Sequence, residues 1–214
     1  MAKYINQLVK TYRLKRDEIK SRLEEFKEVL NQSDERIFAE LAFCICTPQS
    51  KATAAWNSIA ALVKNDYLFS GSENVIRPFL NTVRFCDNKS KYIVEARNFF
   101  TKSNKLKIKE KIKSFDDQFK LREWSAENIK GLGMKESSHF IRNIGLGNDM
   151  AILDVHILKN LKEYGVIEEI PEVLTKKAYL EIESKMRNFS KLVKIPMDEL
   201  DLLFWSEETG MIFK

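Results

Sequence analysis

The segment Ala126–Gly147, AENIKGLGMKESSHFIRNIGLG, decides the fold. Its pattern predicts a short helix ending near Lys130, a tight turn at Gly131-Leu132-Gly133, and a second helix from Met134 to Ile144 with Phe140, Ile141 and Ile144 on its apolar face. Two glycines around one apolar residue let the chain reverse, because positive φ costs glycine little. Leu132 is expected to plug the turn into the core. Two readings are open. One is an ordinary helical hairpin with a glycine C-cap. The other is a helix-hairpin-helix whose bare backbone N–H groups, at the positive end of the second helix, grip one DNA backbone without reading its sequence.

The rest of the chain is predicted to be helical. Seven glycines and four prolines in 214 residues are too few for a fold rich in β-turns. Ile19, Leu23, Phe26 and Leu30 recur at helical spacing, as do Tyr179, Ile182, Met186, Phe189 and Val193. Ser33 is placed to cap a helix through Phe38, Leu41 and Ile45, and Pro196 to open Met197–Trp205. Lys107–Lys113 alternates like a strand, yet Ile108, Ile112, Phe115 and Phe119 also define a helical face, and the helix is chosen. Periodicity predicts roughly ten to twelve helices with short connections.

No run of 18 apolar residues exists, so no membrane span is expected. The N-terminus lacks the apolar core of a secretory signal, which predicts a cytoplasmic protein. The three cysteines, Cys44, Cys46 and Cys86, fit neither a disulfide framework nor a four-cysteine cluster. His139 and His156 are the only histidines, so no conventional metal site is expected. A net charge of +5 favours a polyanionic partner only weakly. Six lysines in Lys102–Lys113 read either as a phosphate-facing surface or as a solvated face.

Lys135 falls in the first turn of the second hairpin helix. A cation there opposes the helix dipole, which favours the neutral amine that an imine-forming lysine requires. It also reads as one surface lysine among many. Asp154 ends the apolar run Met150–Leu153 and precedes a helix bearing Ile157, Leu158 and Leu161. It reads as an N-cap, or as a carboxylate that steadies positive charge while a glycosidic bond breaks. The two roles are compatible, since a capping carboxylate is held ionised and fixed.

Taken together, Gly131-Leu132-Gly133-Met134-Lys135 followed by Ile152-Leu153-Asp154-Val155-His156 resembles the lysine-containing branch of the helix-hairpin-helix–GPD superfamily of DNA glycosylases. The closer resemblance is to the second group of 8-oxoguanine DNA glycosylases, found in archaea and some bacteria. It spans nearly the whole chain. Four segments carry it: Cys46–Ala52 (CTPQSKA), Arg84–Ile93 (RFCDNKSKYI), the hairpin with Ser137–Asn143 (SSHFIRN), and the C-terminus, Leu200–Trp205 and Ile212–Lys214. Ser137 stands where the pattern often has alanine, a small-for-small change. The endonuclease III branch is disfavoured, because no cysteine follows Cys86.

The resemblance implies a bifunctional DNA glycosylase and AP lyase that flips out and excises 8-oxoguanine. In it Lys135 attacks the sugar and Asp154 assists. It implies Gln49 as the residue filling the vacated gap, and Asn88 and Lys89 as candidates for wedging into the duplex or contacting the opposite strand. Gly131 and Gly133 would meet the DNA backbone. Trp205 would stack on the extruded base and Lys214 close the pocket, with Phe85 and His139 as further pocket candidates, against plain core packing for both. No cofactor is required, and the hairpin carbonyls are expected to be able to hold a structural monovalent cation. The partner is duplex DNA, bound by a monomer. The predicted architecture is all-α, two helical subdomains with a cleft between them: residues 36–148 as a helical barrel with the hairpin, and 1–35 with 149–214 as the second. A non-catalytic DNA-binding module and a lyase for oxidised pyrimidines are the rivals.

Overall fold

The structure, a computed structural model, describes residues 2–214. Twelve α-helices carry these residues. They are α1 (Ala2–Val29), α2 (Asp34–Cys46), α3 (Ala52–Lys64), α4 (Tyr67–Ser70), α5 (Glu73–Ile76), α6 (Cys86–Phe100), α7 (Ile108–Lys113), α8 (Gln118–Asn128), α9 (Met134–Asn143), α10 (Val155–Glu163), α11 (Lys176–Val193) and α12 (Met197–Thr209). A 3-10 turn at Arg77–Leu80 follows α5. The chain divides into two compact units: Glu28–Ile144, and the chain through Lys27 together with Gly145–Lys214.

The continuous unit is built around α2. Ser33 caps this helix, its Oγ accepting from the Arg36 N–H at 3.3 Å. Every residue from Ile37 to Cys46 is then buried. Helices α3, α6, α7 and α9 contact it. The fully covered Glu40 is tolerated because Arg36 pairs with it at 2.7 Å and Asn143 Nδ2 donates to it at 3.1 Å. The stretch Lys107–Lys113 is helical, as expected, but an antiparallel pair of two-residue strands, Thr101–Lys102 and Lys105–Leu106, precedes it. Ser103 and Asn104 both take positive φ at the tip, which makes this tight reversal possible. The lysines here are largely solvated: Lys102 pairs with Glu110, and Lys111 lies 4.4 Å from the Trp124 ring centroid.

In the other unit α12 contacts α10 and α11. The predicted stripe Tyr179, Ile182, Met186, Phe189 and Val193 is buried throughout. On α1, Ile19, Leu23 and Phe26 are buried as predicted, but the helix stops at Val29, which is buried in place of Leu30. Pro196 is the N-cap of α12 rather than a first-turn residue, and α12 runs four residues beyond Trp205 to a left-handed cap at Gly210. No helix among the described residues is long and apolar enough to cross a membrane.

Candidate active site

The hairpin joins α8 to α9 through Lys130–Gly133. Gly131 takes φ +89, and a Cβ there would lie 2.9 Å from the Tyr92 ring, so both torsion and space exclude a side chain. Gly133 differs from the sequence expectation: its φ is −101, an ordinary extended value. What a side chain would meet there is the Glu136 carboxylate, 3.2 Å from an added Cβ. Leu132 is buried and holds the turn on the core, as predicted.

Glu136 was not singled out by the sequence reading. One oxygen, Oε2, accepts from the Gly133 N–H at 3.2 Å, the N3 position of a capping box. The other, Oε1, lies 3.0 Å from Lys135 Nζ, with the two side chains 12% and 26% exposed. The G-x-x-E spacing at Gly133–Glu136 was the signal that could have found it. The hairpin's outward N–H therefore already holds an anion. Lys135 thus faces the Glu136 carboxylate rather than an empty turn.

Asp154 belongs to the other unit and caps α10. Its Oδ1 accepts from the N–H groups of His156 (2.9 Å) and Ile157 (2.8 Å), and among the described residues Oδ2 has no hydrogen-bond partner. The strand-like approach to it is pinned: the Ala151 N–H donates to Glu183 at 2.9 Å and the buried Tyr179 hydroxyl donates to the Ala151 carbonyl at 2.5 Å. Capping and an oxygen left over coexist at Asp154, as its two readings allowed.

The flanking candidates fall out unevenly. Gln49 is exposed at the tip of the turn between α2 and α3, with φ +54. Asn88 is exposed in the first turn of α6. Lys89 corrects the sequence reading. It is 4% exposed, and its ammonium donates to the carbonyls of Cys46 (2.8 Å) and Pro48 (2.7 Å) and to Ser50 Oγ (3.2 Å), so it presents no charge to an opposite strand. Burial pulls its pKa below the ordinary lysine value, and the charges of Lys135 and Glu136 act on it. Phe85 is 53% exposed at φ +58, which rules out core packing. His139 is buried, edge-on to Phe43 with ring centroids 5.4 Å apart. Trp205 is partly exposed and lies 6.4 Å from the Phe213 ring. Lys214 is buried, its ammonium 5.9 Å from the Phe26 ring centroid, and so is not a frayed end. No cluster of three or more His, Cys, Asp or Glu suited to a metal ion occurs among the described residues.

Comparison with known proteins places the whole chain in one family. Residues 19–195 match the family model described as 8-oxoguanine DNA glycosylase. A protein of Fusobacterium nucleatum named 8-oxoguanine DNA glycosylase/AP lyase is 48% identical over 99% of this chain and 98% of its own length. The crystal structure of Methanocaldococcus jannaschii 8-oxoguanine DNA glycosylase superposes with a TM-score of 0.88 at 36% identity, covering 100% of this chain and 97% of that one. The M. jannaschii enzyme in complex with a 15mer DNA containing 8-oxoguanine gives 0.87 at 35% identity, over 97% of this chain and 100% of that one. A helical hairpin carrying Lys135, in a chain so matched along its whole length, makes this protein a member of the 8-oxoguanine DNA glycosylase family.

Proposed function

We propose that the protein excises 8-oxoguanine from duplex DNA and then cleaves the strand at the resulting site. Lys135 Nζ, once neutral, attacks C1′ of the extruded nucleotide. The C1′–N9 bond breaks and the base leaves with its electron pair, which a proton then satisfies. The C1′–O4′ bond then breaks, and the amine's remaining proton passes to O4′ as the ring opens to the imine. That imine acidifies the 2′ hydrogens, so loss of one expels the 3′ phosphate by β-elimination. Water then hydrolyses the imine and frees the lysine.

Asp154 steadies the positive charge that develops on the sugar and takes part in the lysine's proton transfers, its capping hydrogen bonds fixing the carboxylate in place. Trp205 supplies a stacking face for the extruded base, and Lys214 closes the base pocket. The target base must leave the stack for any of this to occur, and Gln49 fills the space it leaves, with Asn88 toward the opposite strand. The amine is the nucleophile, so no metal or cofactor enters a step. A monovalent cation on the hairpin carbonyls has a structural role only. The protein acts as a monomer in the cytoplasm.

The observation that carries this reading is Lys135 in the first turn of α9, at the position where the lysine-containing branch keeps its nucleophile. Borohydride trapping on duplex DNA containing 8-oxoguanine tests it. A covalent adduct is expected for the native protein and none for Lys135→Gln. DNA binding without an adduct, or excision of thymine glycol but not 8-oxoguanine, would refute it.

A further inference from the structure

Two residues of the continuous unit hold left-handed backbone while exposing large side chains: Gln49 at φ +54 and Phe85 at φ +58. Neither is glycine or asparagine, so each conformation must be enforced by its surroundings. Gln49 lies in the turn after α2, and Phe85 is the residue before α6. One side-chain network joins the two turns, with Ser50 Oγ as the shared atom between the Lys89 ammonium and the Arg84 N–H that precedes Phe85. Lys89 holds the first turn through its ammonium, on the carbonyls of Cys46 and Pro48 and on Ser50 Oγ. Its own backbone N–H donates to the Phe85 carbonyl at 3.0 Å. Ser50 Oγ in turn accepts from the Arg84 N–H at 3.0 Å. A lysine has three N–H donors, and here all three have acceptors, which explains how a 4% exposed ammonium is tolerated.

We propose that Lys89 and Ser50 are positioning residues that lock Gln49 and Phe85 into one rigid two-pronged element, which enters the duplex as the damaged base leaves it. Phe85 is the second prong. Its ring offers a flat face to a base that has lost its stacking neighbour, and the Arg84 guanidinium, 5.4 Å from that ring centroid, places positive charge for the adjoining phosphate. The inference rests on the glycosylase reading and deepens it. Fixing both prongs before DNA arrives removes an ordering cost that flexible turns would incur at the moment of base extrusion. Lys89 acts through Gln49 and Phe85 and touches no DNA itself.

The test compares Lys89→Met, Ser50→Ala, Ser50→Thr and Phe85→Ala with the native protein in three measurements. These are single-turnover excision from an 8-oxoguanine·cytosine duplex, fluorescence of a 2-aminopurine beside the lesion as a report of extrusion, and lyase activity on a preformed abasic site in single-stranded DNA. The last needs no extrusion. Lys89→Met and Ser50→Ala are expected to slow duplex excision and the fluorescence rise together, by between about 10- and 100-fold. Single-strand lyase activity should stay within about twofold, and Ser50→Thr, which keeps the oxygen, should restore most of the rate. Phe85→Ala should reproduce the extrusion defect and serves as the deciding variant if Lys89→Met does not fold. Equal losses on all three measurements, or native extrusion in both Ser50→Ala and Phe85→Ala, would overturn the proposal. A native protein that forms no adduct with 8-oxoguanine DNA would instead overturn the glycosylase reading, and this proposal with it.

Discussion

Replacing Glu136 by glutamine separates two things its carboxylate does. The carboxylate caps α9 through the Gly133 N–H, and it holds the Lys135 ammonium at 3.0 Å. Glutamine keeps an oxygen for the N–H but offers no negative charge. An ion pair still partly open to solvent is worth on the order of 0.2–1 kcal/mol after screening. On the proposed reading, in which the hairpin turn meets the DNA backbone, that anion stands in the phosphate's place and is displaced on binding. Glu136→Gln is therefore expected to tighten binding to undamaged duplex by about two- to fivefold at low salt. With Lys135 released to pair with phosphate, the logarithmic salt slope should steepen by up to about 0.9. Fluorescence anisotropy across a potassium chloride series measures both. Thermal denaturation supplies the control: the melting temperature should hold for glutamine and fall by roughly 2–4 °C for Glu136→Ala, which also loses about 1 kcal/mol of capping. Unchanged or weaker binding by the glutamine variant, with its stability intact, would refute the idea that a resident carboxylate occupies the DNA-binding turn.

Three further outcomes follow from other sites. Asp154→Ser should keep the α10 cap, and hence stability, while losing excision, whereas Asp154→Ala should lose excision and about 1 kcal/mol of stability in urea denaturation. Tyr179→Phe should cost about 1–3 kcal/mol, because the buried Ala151 carbonyl loses the hydroxyl that donates to it. Burial pushes the Cys46 thiol up to about 12, and Cys44 is buried while Cys86 is partly accessible. Iodoacetamide should thus modify Cys86 alone in the folded protein between pH 7 and 9 and all three thiols only after unfolding, as read by mass spectrometry. Because the folded state raises the Cys46 value, the associated stabilisation is complete below the ordinary thiol range near 8.5 and is lost as pH climbs toward 12.

The hairpin was legible because its signals are local. Two glycines bracket a leucine, and an apolar period resumes after them, so Leu132 and the direction of α9 could be read directly. The stripes on α1 and α11 were equally plain, since burying one face leaves a 3.6-residue trace. What escaped is what depends on partners distant in sequence. Lys89 reads as a surface cation, and only the carbonyls of a turn some forty residues earlier make it a buried one. His139 carries no local mark distinguishing a pocket from the flank of Phe43. Glu136 did leave a trace in the G-x-x-E spacing, but glycine has no side chain with which to complete the usual capping pattern. The expectation that Trp205 ends its helix failed because the stop signal is Gly210, in left-handed conformation five residues later.

The division of the chain also orders its synthesis. Glu28–Ile144 is one uninterrupted run, whereas the other unit draws on both ends of the polypeptide. On the ribosome the uninterrupted unit can close as soon as its last helix emerges, while α1 waits for α10, α11 and α12. The amine at position 135 is thus housed before the carboxylate at position 154 has a folded home. On the proposed mechanism, a nascent chain halted between the two carries the nucleophile without its carboxylate, and excision begins only when translation is almost done.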